Sequence, residues 1–335
     1  MNIRPHIAQR ARCTLMAASL ALLACTTSSA YAGPLRDWLA ERHASRNEET
    51  TRTVKDVAYG VDPAQKLDIY LPSQAKRAPV IFMVHGGAWA IGDKQHGRVI
   101  ENKLRHWLPQ GFALISVNYR LLPDAGPIEQ AQDVARALTF TQRQATTWGL
   151  DPQRFILMGH SAGAHLIGLL AAQPALARNT GAQDWLGSIL LDSAALDVVQ
   201  IMETPHHYRF YDEAFGKDPN YWHQASPLHT LQADAGPMML VCSTRRADSC
   251  AQAGVFAQAL AMHQPRVTVL KQDLSHGEIN SELGLASAYT QAVDQFIEGL
   301  PGLRLVSSQQ TVRPDGPATV PGTRRVQPSA PQAAP

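Results

Sequence analysis

The apolar run Phe155-Ile156-Leu157-Met158 ends in Gly159-His160-Ser161-Ala162-Gly163, and a second apolar stretch, Ala164 to Leu170, follows at once. That pattern predicts a strand, a tight turn and a helix, with a serine at the apex of the turn. A serine that acts as a nucleophile must stand clear of the sheet, so the backbone has to reverse sharply beneath it. The residues two before and two after must then be small, because larger side chains would collide with the following helix. A serine in this place also sits at a helix N-terminus, where free backbone N–H groups stabilise negative charge. The pattern itself is short enough to arise by chance. Its flanking strand and helix are what give it meaning.

A serine hydroxyl needs a base to take its proton, and the base needs a carboxylate to fix its tautomer. Three further pieces fall at the ends of predicted strands. The first is His85-Gly86-Gly87-Ala88-Trp89, where glycines let backbone N–H groups face inward without obstruction. With the N–H of Ala162 these would form an oxyanion hole. The second is Asp248, in the loop after Met238–Val241. The third is His276, in Leu274-Ser275-His276-Gly277, after Val267–Leu270. Ser161, Asp248 and His276 stand in the chain order of nucleophile, acid and base. Asp192 and Asp197, after Ser188–Leu191, are alternative acids one strand nearer the serine. His160 and His165 lack the zincin spacing, and there is no His-Glu-x-x-His and no Gly-rich phosphate loop, so neither a metal nor a cofactor is expected. His206-His207 reads as a solvated pair.

These residues need a scaffold of strand ends. Val54–Gly60 and Leu67–Leu71 alternate polar and apolar residues, which predicts a strand pair at a sheet edge. Pro79–Val84 and Phe112–Val117 are continuous apolar runs, as strands buried on both faces should be. Pro127 to about Trp148 is helical in spacing and has proline at its start. Further strands are expected at Ser188–Leu191, Met238–Val241 and Val267–Leu270, and helices at Ala251–Met262 and Leu285–Leu300. Strands alternating with helices predict a mostly parallel sheet with helices on both faces and a site at the carboxyl ends of the strands. Val199–Leu231, rich in His, Tyr, Pro and Trp, interrupts this rhythm and is expected to be a lid.

The chain has 335 residues, 45% of them hydrophobic, enough for one large domain. Arg4, Arg10 and Arg12, the apolar stretch Leu15–Ala24 and Ala30-Tyr31-Ala32 read together as a signal peptide over residues 1–32. Leu22-Leu23-Ala24-Cys25 also resembles a lipobox, so a lipid anchor at Cys25 is the alternative. The apolar stretch is too short for a membrane span. Removing residues 1–32 takes away three arginines and no carboxylate, and the formal charge goes from +2 to −1. Nothing in that balance points to nucleic acid as a partner. Cys242 and Cys250 remain as an even pair in an oxidising compartment and are expected to form a disulfide. The domain is expected over residues 33–305, with a disordered Pro-rich tail over residues 306–335.

From about Tyr59 to Leu300 the chain resembles the α/β-hydrolase superfamily. Within it, the likeness is to bacterial carboxylesterases of the hormone-sensitive-lipase-like and feruloyl-esterase-like groups. Tyr59-Gly60, Leu67-Asp68-Ile69-Tyr70-Leu71-Pro72, His85-Gly86-Gly87-Ala88-Trp89 with Gly92-Asp93, Asn118-Tyr119-Arg120-Leu121 with Pro123, and Gly159-His160-Ser161-Ala162-Gly163-Ala164-His165 follow in the same order. The resemblance implies Ser161 as nucleophile, His276 as base, Asp248 as acid, and oxyanion donors from Gly87, Ala88 and Ala162. It departs from the pattern twice: Ala88 replaces a third glycine, and the acid loop lacks its common glycine. Similar motifs occur in kynurenine formamidases, but those are cytosolic. The expectation is a periplasmic or secreted serine hydrolase that cleaves small-molecule carboxylic esters through an acyl-enzyme. An amidase, formamidase or peptidase on the same residues, and a non-catalytic binding protein on the same fold, are the alternatives.

Overall fold

The computed structural model describes residues 52–264 and 266–305. The expected signal peptide, Cys25, the start of the expected domain before residue 52 and the tail from residue 306 lie outside the described residues.

Eight strands form one sheet in the order β1-β2-β4-β3-β5-β6-β7-β8. They are β1 (Arg52–Ala58), β2 (Lys66–Leu71), β3 (Ala78–Val84), β4 (Ala113–Val117), β5 (Leu150–His160), β6 (Gly187–Leu191), β7 (Met238–Ser243) and β8 (Val267–Gln272). β1 pairs antiparallel with β2, and β2 with β4; the remaining pairs are parallel. β4, β6 and β7 are buried along their whole length, because helices cover both faces of the sheet. Most side chains of β1 are exposed and those of β8 are only partly buried, as suits the two edges.

Alternation along the strands separates two apolar layers. Val80, Phe82 and Val84 of β3 join one layer, while Ile81 and Met83 join the other. The first layer packs under α2 (Pro127–Gln144), α3 (Ala162–Ala172) and α8 (Ala247–Ala261), through Val134, Leu166 and Phe256 among others. The second packs under α1 (Gly97–Trp107) and α10 (Ala288–Glu298), through Trp107, Val293 and Ile297. A one-residue slip of β3 would exchange its two sets of side chains, so both layers enforce its register.

The remaining helices are short. α4 is Ala175–Arg178, and α9 is His276–Ser281. The segment 199–231 folds around α5 (Val198–Glu203), α6 (Arg209–Phe215) and α7 (Pro219–Gln224). α8 begins at Ala247, earlier than its apolar spacing predicts, because only the three residues 244–246 separate it from β7. Cys242 at the end of β7 is bonded to Cys250 in the first turns of α8. No described helix is long and apolar enough to cross a membrane.

Candidate active site

Ser161 is the residue between β5 and α3, at φ 55° and ψ −120°. Close backbone packing forces that turn. A Cβ on Gly159 would lie 2.3 Å from the Gly163 carbonyl oxygen, and one on Gly163 would lie 2.3 Å from that of Val84. A Cβ on Gly86 would meet the Ser161 Cβ at 2.8 Å. Backbone bonds then fix the apex: Ser161 N–H donates to Leu191 O at 2.9 Å, and His165 N–H to Ser161 O at 3.0 Å.

The loop after β3 approaches the same point. Gly87 has φ 127° and Ala88 φ 49°, which aims successive amides to one side. Among the described residues, the N–H groups of Gly87, Ala88 and Ala162 have no acceptor. Trp89 anchors the loop by donating Nε1–H to His165 Nδ1 at 3.1 Å, while His165 Nε2–H donates to Ala225 O at 2.7 Å. Burial pushes the His165 pKa down to about 4, so the ring is neutral and can accept at Nδ1. Tyr119 donates its hydroxyl to His85 O at 2.9 Å, and its ring stacks on His85.

His276 opens α9, whose start is fixed by a capping box. Ser275 Oγ accepts from Glu278 N–H, and Glu278 Oε2 accepts from Ser275 N–H at 2.7 Å. Three neighbouring side chains bond to the backbone of α9. His160 Nε2–H donates to His276 O at 2.8 Å, and the two rings lie 4.5 Å apart. Burial, with a smaller contribution from His276, pushes the His160 pKa down to about 3. At the other end of α9, Lys103 of α1 donates to Asn280 O at 2.6 Å and to Asn280 Oδ1 at 2.9 Å. Asn102 Nδ2 donates to Ser281 O at 2.6 Å.

The carboxylate beside His276 is not the expected one. His276 Nδ1 lies 2.6 Å from Asp192 Oδ2. Asp192 follows β6 at φ 54° and is fully buried. Its Oδ1 accepts from Ser243 N–H at 2.7 Å and from Ser249 Oγ–H, and its Oδ2 accepts from Arg246 Nη1–H at 2.9 Å. Burial alone would raise its pKa; the bonds from His276, Ser249, Ser243 and Arg246 outweigh burial and hold the carboxyl well below the usual range. Asp248, expected in this role, falls in the first turn of α8, where a helix N-terminus favours a carboxylate. It is half-exposed, 3.4 Å from Arg246 Nη2, and makes no hydrogen bond to His276. The other alternative, Asp197, caps α5 by accepting from Gln200 N–H at 3.0 Å.

Ser161, His276, Asp192, Gly87, Ala88 and Ala162 line one cavity of about 520 Å³, and Asp248 is not on its wall. Tyr208, Phe210 and Tyr211 from the segment 199–231 line it too. His206 and His207 do not; His207 lies beside Asp212 at 3.0 Å. Sequence reasoning missed Arg246, Ser249 and Lys103, which carry no motif. Asp192 had a usable signal in its place at the end of a parallel strand.

A mostly parallel eight-stranded sheet, with a serine elbow after β5 and a histidine after β8, is the α/β-hydrolase fold. The chain belongs to the BD-FAE family, which it matches over residues 67–250. The isoprenylcysteine alpha-carbonyl methylesterase ICME of Arabidopsis thaliana is 34% identical over 113 residues, 33% of this chain and 26% of that one. Esterase LipC of Mycobacterium tuberculosis is 27% identical over 205 residues, 56% of this chain and 50% of that one. The chain thus spans half or less of the length of the curated relatives it matches. A solved truncated carbohydrate esterase from gut microbiota shares the fold, with a TM-score of 0.63 at 18% identity over 74% of this chain and 96% of that one.

Proposed function

We propose that this protein is a carboxylic ester hydrolase that works through an acyl-enzyme on Ser161, with His276 as base and Asp192 as acid. The observation that carries this reading is the 2.6 Å contact of His276 Nδ1 with the buried Asp192 carboxylate, in the cavity that Ser161 lines. With Nδ1–H given to Asp192, Nε2 is the ring nitrogen left with a free lone pair, and it takes the proton of Ser161 Oγ. Oγ bonds to the ester carbonyl carbon, and the carbonyl oxygen becomes an oxyanion. The N–H groups of Gly87, Ala88 and Ala162 are free to receive it, each donor contributing roughly 3 kcal/mol. Collapse breaks the bond to the alcohol oxygen, which leaves with the proton from Nε2. Water then repeats the sequence on the acyl-enzyme and releases the acid. Asp192 stays ionised throughout and stabilises the imidazolium.

Most of the relatives are named as esterases, which favours an ester substrate, although a kynurenine formamidase of Danio rerio is also 31% identical over 127 residues. The partner is a small molecule that fits the cavity. The amino-terminal pattern and the Cys242–Cys250 bond support export to the periplasm or beyond, where disulfides persist. Replacing Ser161 by alanine is expected to lower turnover of p-nitrophenyl acetate by on the order of 10⁴-fold or more. It should also abolish labelling by a serine-reactive phosphonate. Undiminished turnover in that variant would refute the reading, and faster cleavage of p-nitroacetanilide than of the matched ester would make the protein an amidase.

A further inference from the structure

We infer that the disulfide-closed loop Cys242–Cys250 is the device that positions Asp192, with Arg246 and Ser249 as positioning residues. The inference rests on the proposed roles of Ser161, His276 and Asp192. Among the described residues, and apart from His276, every side-chain or backbone donor to the Asp192 carboxylate lies inside this loop: Ser243 N–H at 2.7 Å, Ser249 Oγ–H and Arg246 Nη1–H at 2.9 Å. Two of these donors occupy Oδ1, so the carboxylate cannot rotate without breaking both. Oδ2 is thereby turned to His276.

The same loop grips the segment that carries the base. Ser243 Oγ–H donates to Leu274 O at 2.6 Å, and Arg245 donates to Asp273 Oδ1 and to Asp273 O, both at 2.8 Å. Asp192 and His276 come from different strand ends, and this loop bonds to both.

The donors themselves are on two elements. Ser243 ends β7, whereas Ser249 lies in the first turn of α8, and Arg246 stands between them. A first helical turn is where fraying starts. The Cys242–Cys250 bond ties that turn to the strand end, so the donors move as one body. A purely stabilising disulfide could close any loop; this one encloses the groups that hold the acid.

The test uses the mature full-length protein. The double variant Cys242→Ala/Cys250→Ala is expected to lose about tenfold to a hundredfold in kcat on p-nitrophenyl acetate, as misplacement of a catalytic group by about an ångström does. KM should stay within about twofold, and the far-UV circular dichroism should be unchanged. Wild type reduced by a water-soluble phosphine should show the same loss, restored on reoxidation. Ser249→Ala, with the disulfide intact, should lower kcat about fivefold while leaving KM in place. Full kcat in the double variant, or a loss of kcat that only tracks loss of folded protein, would overturn the inference. The underlying reading fails separately, if Ser161→Ala and Asp192→Asn retain turnover.

Discussion

The two halves of the site are held by different forces. On the serine side, backbone presses on backbone: Gly159, Gly163 and Gly86 have no room for a Cβ, and the elbow is what remains when the chain passes so close. On the side of Asp192 and His276, polar atoms hold one another: Asp192 is surrounded by donors from Ser243, Arg246, Ser249 and His276, and α9 is held by Lys103 and Asn102. The packed half tolerates almost no change of volume but is indifferent to charge. The bonded half has the opposite sensitivities, so shape and charge can be perturbed one at a time.

The largest effect should come from charge in the bonded half. Asp192→Asn keeps the volume but removes the anion, and is expected to lower kcat by on the order of 10⁴-fold, as loss of the correct histidine tautomer does. Asp248→Asn should leave kcat on p-nitrophenyl acetate within about twofold. If steady-state kinetics found the reverse, Asp248 would be the acid and the bonded half would be misdrawn.

A smaller effect is expected from volume in the packed half. An alanine at 163 would put its Cβ 2.3 Å from Val84 O and 2.4 Å from His85 O, both backbone atoms that cannot swing aside. Gly163→Ala should therefore cost about 1–3 kcal/mol in urea unfolding and lower kcat with it. Unchanged stability would mean that the elbow is not sterically enforced.

A third effect is a pH dependence of stability in the bonded half. Lys103 is buried, and burial pushes its pKa down from 10.5 to about 7. Between those values the unfolded chain binds more protons than the folded one, so the stability contributed by this site rises with pH through that window. Below it, the cost of the buried cation is felt in full. Relative to wild type, Lys103→Met should thus gain most near pH 6 and lose that advantage towards pH 10, as read from urea melts across the range. A difference that does not vary with pH would show that burial leaves the Lys103 pKa at its ordinary value, with the ammonium charged in the folded protein as in the unfolded chain.

The contrast also explains how much could be read from the sequence. Steric constraints leave a local mark: few residues other than glycine suit positions 159 and 163, and strands buried on both faces must be apolar throughout, so the sheet and the elbow stand out in the chain. Hydrogen-bonded sites leave little. Apart from His276, the donors to Asp192 lie 51 to 57 residues away, and they are an ordinary serine hydroxyl, an arginine and a backbone amide. Asp248 drew attention because it follows β7, yet a carboxylate in the first turn of a helix has a sufficient reason of its own. The aromatic composition of residues 199–231 marked the segment as unusual. Which of its rings face Ser161 depends on how three short helices fold, and composition does not carry that. Parity suggested the Cys242–Cys250 bond but was silent on what the closed loop would hold.

The backbone at Ser161 sits at φ 55° and ψ −120°, a conformation that costs a side-chain-bearing residue about 1–3 kcal/mol. Durability and activity therefore pull apart at this single residue. A glycine would suit the turn better and, on the proposed mechanism, would end the chemistry, so pressure for a more robust protein alone would erode the serine. On the proposed mechanism, that uncomfortable conformation is kept for what the hydroxyl does.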